Sequence, residues 1–255
     1  MNTVLESRQL SKSFLLAEDN EQRVLKGVDV KIKRGEFVSV MGPSGSGKST
    51  LLYNISGMDR MTSGSVNFKG RELSELSEEA LARLRLTEMG FVFQNIHLLR
   101  NLSIFDNIIL PAYLANHNDH GPINERAMAL MEHVGITELA DNDITQASGG
   151  QLQRVGICRA LINEPDIVFG DEPTGALNSS AAAEIMKLLD DINRSGTTVL
   201  LVTHDPKIAA RTERVLFMLD GRIIAEKHLG KYTGNVRDKK NRVESLTRWL
   251  LKKGF

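Results

Sequence analysis

The 255-residue chain holds a single cysteine, Cys158. That excludes an internal disulfide framework and suits a reducing compartment. It also lacks net charge. Its 32 Lys and Arg balance 32 Asp and Glu, so the overall basic footprint of a nucleic-acid binder is missing. No run approaches the roughly 18 apolar residues needed to span a bilayer, and no crossing is expected. Met1 to Arg8 carry no apolar core of signal-peptide length, so no leader is expected. Internal repeats and low-complexity tracts are absent. What is present is ordinary for a folded protein. With 41% hydrophobic and 25% charged residues, there is material for a sizeable core in one large domain or two small ones.

The zero sum hides an asymmetry. Residues 231–255 hold eight basic and two acidic residues, a surplus of six positive charges that residues 1–230 offset. Val243, Leu246 and Leu250, with Trp249 beside them, predict an amphipathic helix in this tail. Its apolar face can dock on the body, or the helix can touch an anionic membrane or a membrane partner.

Three apolar runs predict buried strands. They are Phe37–Met41, Ile167–Phe169 and Thr198–Thr203, each ending in glycine, charged or histidine residues. Continuous runs of this kind suit a parallel α/β sheet, whose ligands gather at the C-terminal strand ends. Asp220-Gly221 between two apolar runs predicts a hairpin with a type I′ turn. From Leu98 to Glu138 the pattern is helical, with a loop at Asn116–Pro122 by composition. A helical block therefore stands between the first and second buried strands.

The strongest chemical signal is Gly42-Pro43-Ser44-Gly45-Ser46-Gly47-Lys48-Ser49, matching G-x-x-x-x-G-K-[ST]. It follows a predicted strand and opens a predicted helix, the context that gives the match meaning. Glycines let backbone N–H groups turn around phosphate oxygens, and a helix N-terminus adds positive potential. Lys48 is placed for the β- and γ-phosphates and the Ser49 hydroxyl for Mg²⁺. A second signal is Asp171-Glu172, delivered by an apolar strand. Strand alternation would send the two carboxylates in different directions. Asp171 then suits Mg²⁺ through water and Glu172 suits general-base work. A third is Ala147-Ser148-Gly149-Gly150-Gln151, two glycines at a helix start with Ser148 as a candidate cap. Such a flat tip can meet another phosphate, or it can be an ordinary capped start.

In this order the motifs resemble the ATP-binding subunits of ABC transporters, from about Leu5 to Glu226. The resemblance implies an α/β P-loop NTPase fold. Its parts would be a RecA-like core with a mostly parallel sheet, an N-terminal antiparallel β subdomain and an inserted α-helical subdomain. It places the ATPase domain at 1–230 with the helical insertion at about 95–155, leaving 231–255 as a basic, helical extension. Gly42 to Ser49, with Thr50 following, resembles the Walker A loop. Gln94 is similar to the Q-loop glutamine, implied to touch Mg²⁺ and to couple to a membrane partner. Ser148, Gly149, Gly150 and Gln151 resemble the signature motif, implied to contact the γ-phosphate held by a second copy. Asp171 and Glu172 resemble Walker B. Residues 173–178 resemble the D-loop, and His204 the switch histidine that steadies the γ-phosphate. Phe14 falls where the family stacks an aromatic on adenine, though a core phenylalanine on an N-terminal strand is the other reading.

The implied activity is ATP hydrolysis with ATP and Mg²⁺, by Lys48, Glu172 and His204. The implied partners are a second copy, in a head-to-tail dimer around two ATP, and an integral membrane permease, with no nucleic acid. The implied place is the cytoplasm, at the inner face of the membrane. Residues 88–95, Leu98-Leu99 and 106–111 are similar to the lipoprotein-releasing, macrolide-export and antimicrobial-peptide-resistance branch, so export or extraction of a lipophilic or peptide substrate is expected. Three positions depart from the pattern: Ala147 for Leu, Asn178 for Asp and Gly170 for Ala. Asn178 keeps a carbonyl acceptor but loses the charge. A soluble ABC-type ATPase acting on nucleic acid or ribosomes is the alternative. It usually carries two ATPase halves or coiled-coil insertions, and neither is found here. A small-molecule kinase would leave Gln94, the glycine pair and His204 unexplained.

Cys158, among Val155, Ile157, Leu161 and Ile162, suits apolar packing. His117 and His120 suit a solvated loop and have no carboxylate or cysteine at metal spacing.

Overall fold

The computed structural model describes residues 3–17, 20–116 and 120–255. His117 lies outside the described residues, as does the middle of the predicted loop. Gly121 and Pro122, assigned to that loop by composition, open a helix instead. Proline is at home in a first turn, where its missing N–H costs nothing.

In chain order the elements begin with β1 (Thr3–Ala17), β2 (Asn20–Lys33), β3 (Phe37–Met41), α1 (Lys48–Ile55), β4 (Ser63–Phe68) and β5 (Arg71–Glu72). Next come α2 (Glu78–Glu88), β6 (Met89–Phe93), α3 (Ile104–Ala115), α4 (Gly121–Val134), α5 (Gly149–Leu161), β7 (Ile167–Asp171) and α6 (Ser179–Arg194). The chain ends with β8 (Thr198–Val202), α7 (Pro206–Ala209), β9 (Arg214–Leu219), β10 (Arg222–His228) and α8 (Val236–Leu251). These form two compact units, Met1–Ser77 with Thr198–Phe255, and Glu78–Thr197.

In the first unit, β2, β1, β4 and β5 pair antiparallel in that order. A second sheet places β3 parallel to both β8 and β9, with β10 antiparallel to β9. Every residue of β3 and β8 is buried, as continuous apolar runs require when both faces are covered. The β9–β10 turn carries positive φ at both Asp220 (46°) and Gly221 (80°), which fits a type I′ hairpin.

The tail helix α8 belongs to this unit. Leu246 and Leu250 are buried with Met41, Ala209, Ala210, Val215 and Phe217, and Trp249 meets Phe217 edge-on at 6.1 Å. Of the two readings of the tail, docking on the body holds. Its apolar face is already covered and is not available to a membrane, while Arg237, Lys239, Lys240, Arg248, Lys252 and Lys253 stay exposed.

In the second unit, β6 and β7 pair parallel, with Phe93 opposite Asp171. Helices α3, α4 and α5 lie between them along the chain and share one core. Ile104, Ile108 and Ala112 of α3 meet Ala127, Met131 and Val134 of α4 and Val155 and Cys158 of α5, each set at three- or four-residue spacing. Ala147 packs against this same core, so its departure from leucine trims an apolar contact and touches no ligand group. Strand β6 lies in a stretch read from sequence only as a motif. Among the described residues no helix is long and apolar enough to cross a membrane.

Candidate functional site

In the first unit the loop between β3 and α1 is shaped by its neighbours. Gly42 passes so close to β9 that a Cβ there would come within 2.0 Å of the Met218 carbonyl oxygen. The hairpin turn supports the loop from the other end. The Gly221 N–H donates to the Ser46 carbonyl at 3.1 Å, and the Gly221 carbonyl accepts from Lys26 N–H at 2.9 Å. The sequence marked Gly221 only as a turn residue. Its contact with the loop spans 175 positions and leaves no local signal.

Lys48 is buried and folds back over the loop. Its Nζ donates to the carbonyls of Gly42 at 3.0 Å and Pro43 at 2.9 Å. Helix α1 starts without a side-chain cap. Ser46 Oγ is buried and has no hydrogen-bond partner. A buried hydroxyl without a partner asks for one. Beside an ammonium and an uncapped helix start, the fitting partner is an anionic phosphate oxygen. Pro43, Ser49 and Thr50 are half-buried around this cradle, and Ser44 and Gly45 are exposed.

Two further predicted residues belong to this unit. Phe14 lies on β1 with 41% of its surface exposed and Lys12 Nζ 4.8 Å from its ring centroid. It is therefore not a core phenylalanine, and the Lys12 ammonium lies over its ring. His204 is exposed at the end of β8. The adjoining Thr203 N–H donates to Val40 O at 3.1 Å, and Asp205 caps α7 by accepting from Lys207 N–H at 2.7 Å.

In the second unit the backbone joins the Q-loop and Walker B positions. Gln94 N–H donates to the Asp171 carbonyl at 2.9 Å, and a Cβ on Gly175 would stand 3.0 Å from the Gln94 carboxamide. Asp171 ends β7. Glu172 lies outside the strand at φ 47°, a left-handed conformation sparsely populated by residues with a Cβ. The expectation that strand alternation separates these carboxylates is thus corrected in its premise: Glu172 stands outside the strand, in a turn, where alternation does not apply. That turn is closed by Gly175 N–H donating to Glu172 O at 2.9 Å. Strained non-glycine residues cluster at functional sites, where the surroundings over-determine them.

Ser148 caps α5, as its place before the glycines predicted. Its Oγ accepts from Gln151 N–H at 3.4 Å, and Ser148 N–H donates to Gln151 Oε1 at 2.8 Å, a full capping box. Gln151 therefore turns its side-chain oxygen back on the cap. Gly149 is exposed and Gly150 half-buried. Asn178 caps α6, its Oδ1 accepting from Ala181 N–H at 2.9 Å. Asn and Asp are equivalent in that role, so the departure from aspartate keeps the helix start. These two helix starts line a cavity of about 450 Å³ within the unit, together with Arg154 and Glu184, which form an ion pair.

Among the described residues no three His, Cys, Asp or Glu side chains gather as metal ligands. In the second unit the Gln94 carboxamide and the Asp171 carboxylate, and in the first unit the Ser49 hydroxyl, are each oxygen donors of the kind Mg²⁺ takes. That ion binds through one or two carboxylates plus phosphate oxygens rather than an all-protein cage.

The chain matches the ABC transporter family over residues 25–175. It is 40% identical over 228 residues to the bacitracin export ATP-binding protein BceA of Halalkalibacterium halodurans, covering 89% of each chain. It is 46% identical over 211 residues to a macrolide export ATP-binding/permease protein, MacB 1, of Aeromonas hydrophila, covering 82% of this chain and 32% of that protein. It thus spans about a third of the length of that longer relative. The dimeric ATP-binding cassette MJ0796, solved in a post-hydrolysis state with ADP and Pi, superposes with a TM-score of 0.83 at 37% identity, covering 89% of this chain and all of that one. Likeness at this level over most of the sequence joins the separate motifs into one assignment: the chain belongs to the ABC transporter family and is an ATP-binding, ATP-hydrolysing cassette.

Proposed function

We propose that this cassette powers export through a membrane permease, and that two copies close head to tail around two ATP molecules. The observation that carries this reading is the pair of unlike helix starts in one chain. One is uncapped beside Lys48. The other is closed by a capping box, with Gly149 exposed and Gly150 half-buried. A triphosphate held on the first in one copy is completed by Ser148, Gly149 and Gly150 of the other. The dimeric form of the similar cassette MJ0796 supports the same stoichiometry.

Residues 1–230 act as the ATPase domain, with the helices of about 95–155 as its permease-facing part and 231–255 as an appended extension. Lys48 meets the β- and γ-phosphates, and Gly42 to Gly47 and Thr50 shape the cradle. Phe14 stacks on adenine. Ser49, Asp171 and Gln94 would hold Mg²⁺, which would supply neutralising charge to the phosphates. Glu172 takes a proton from the attacking water, and His204 steadies the γ-phosphate. Catalysis is then mostly positioning and electrostatics. Binding closes the dimer, hydrolysis reopens it, and the cycle moves the permease at the inner face of the membrane. Export of bacitracin and of macrolides by the similar proteins supports a lipophilic or peptide cargo.

Glu172→Gln tests this reading. It should lower turnover by about 10²- to 10⁴-fold, the usual worth of a positioned general base. It should also shift the protein to a dimer when ATP is added, read by light scattering. Unchanged turnover with no ATP-dependent dimer would refute it.

A further inference from the structure

Among the described residues, Arg242 of α8 makes an unusually complete set of contacts. It is only 7% exposed. A guanidinium carries five N–H donors, and here five main-chain carbonyls receive them. Nε donates to Ala210 O at 2.7 Å. Nη1 donates to Leu229 O at 2.8 Å and Lys231 O at 3.5 Å. Nη2 donates to Thr212 O at 2.8 Å and Gly230 O at 3.0 Å. A charge is tolerated in such a place only when its donors are met.

The acceptors lie on two segments, 210–212 and 229–231. The first is the foot of the arch that carries His204. That arch leaves β8 at Thr203, turns through His204 and Asp205, makes the single turn of α7, and rejoins the sheet at Glu213. Its own anchors are Thr203 N–H to Val40 O at 3.1 Å and Glu213 N–H to Phe37 O at 2.7 Å. Between them the arch is held internally. Asp205 caps α7, Ala210 N–H donates to Pro206 O at 2.9 Å, and Thr212 Oγ1 donates to Ala209 O at 2.8 Å. A one-turn helix has little stability of its own and takes it from packing. Here the packing comes from α8, whose Leu246 and Leu250 bury Ala209 and Ala210. Arg242 pins the carbonyls on either side of Arg211. The Ala210 end of the fork and Asp205, the neighbour of His204, thus lie at the two ends of one hydrogen-bonded turn.

We infer that Arg242 is a positioning residue for ATP hydrolysis: through α7 it sets the place of His204, and α8 is the strut that holds it there. This rests on the reading of His204 given above. The experiment uses the full chain with Arg242→Met and Arg242→Lys, each alone and with His204→Ala. The readouts are kcat and KM for ATP, and amide hydrogen exchange. Arg242→Met should lower kcat about tenfold and leave KM within about twofold, because the phosphate loop is untouched. Combined with His204→Ala it should add less than about twofold, since the two act through one step. Arg242→Lys, which keeps charge and stem but not the fork, should fall between parent and Met.

Exchange should quicken at residues 205–212 and not at 42–50. Equal loss of kcat in both backgrounds would overturn the inference, as would unaltered exchange at 205–212. If Arg242→Met does not fold, the same two criteria apply to Arg242→Lys. If exchange quickens as expected while His204→Ala leaves kcat intact, it is the role given to His204 that falls, and with it Arg242's part in hydrolysis.

Discussion

Helices α1 and α5 both begin on glycine-rich turns, yet they treat their first turns in opposite ways. Helix α1 has no side-chain cap. It opens on Gly47 at φ 100° and folds Lys48 back onto the loop carbonyls. Helix α5 is closed by the reciprocal hydrogen bonds of Ser148 and Gln151. An uncapped start embedded in close backbone contacts is made to enclose an anion. A capped start with Gly149 exposed and Gly150 half-buried needs no anion to close it, so it offers a flat, weakly positive tip to a charge brought by another molecule. The first needs its glycines in order to fold, and the second needs them in order to be approached.

That contrast predicts different fates for two glycine-to-alanine changes. Gly42→Ala puts a methyl group 2.0 Å from the Met218 carbonyl oxygen and 2.7 Å from Ser46 Oγ. The nearer atom is backbone of β9 and cannot step aside cheaply. The change should cost about 3 kcal/mol or more in urea unfolding, the upper range for overpacking. A loss below about 1 kcal/mol would show that the loop is not clamped against β9.

Gly149→Ala should behave otherwise. The nearest atom to its added methyl is Leu177 Cδ2 at 3.8 Å, an ordinary contact. Alanine also suits a helix better than glycine, so stability should stay within about 1 kcal/mol of the parent. Turnover should still fall about a hundredfold, the usual cost of roughly 1 Å of misplacement at a reacting group. ATP binding to the monomer should be unaffected. A variant with full turnover would remove Gly149 from the approach surface and leave the contrast without its second half.

The enclosed region was the more legible of the two in sequence. Seven residues from Gly42 to Lys48 announce the loop, because backbone curvature and a lysine at fixed spacing are local demands. Ser148 reads as a cap for the same local reason, whereas its reciprocal bond with Gln151 comes from the structure. The strands β3, β7 and β8 were marked by unbroken apolar runs. What sequence left hidden was long-range or conformational. Gly221 reads as a hairpin residue, and nothing near it says that its N–H holds the Ser46 carbonyl. Arg242 reads as one more charge in a basic tail, and only its surroundings make it a clasp. Glu172 follows a strand, so alternation was the natural expectation. The positive φ there is a decision of the turn to Gly175 rather than of Glu172 itself.

The rear of α5 gives the smallest effect, and it checks that the exposed tip sits on a rigid body. Cys158 lies one turn inward with no exposed surface, packed with Ile104, Ala127 and Val155. Burial pushes its thiol up to about 12, since a thiolate there would be stranded among apolar groups. At pH 8 only about one thiol in 10⁴ would be ionised in the native state, even if a reagent could reach it. Labelling by a thiol-specific disulfide should therefore wait on opening of the α3–α5 core. It should be slow in native buffer at pH 8 and complete within mixing in urea, and adding ATP to the native protein should not speed it. Prompt labelling under native conditions would mean that the helix behind the glycine tip opens readily, and a tip on so loose a support would not hold a phosphate in register.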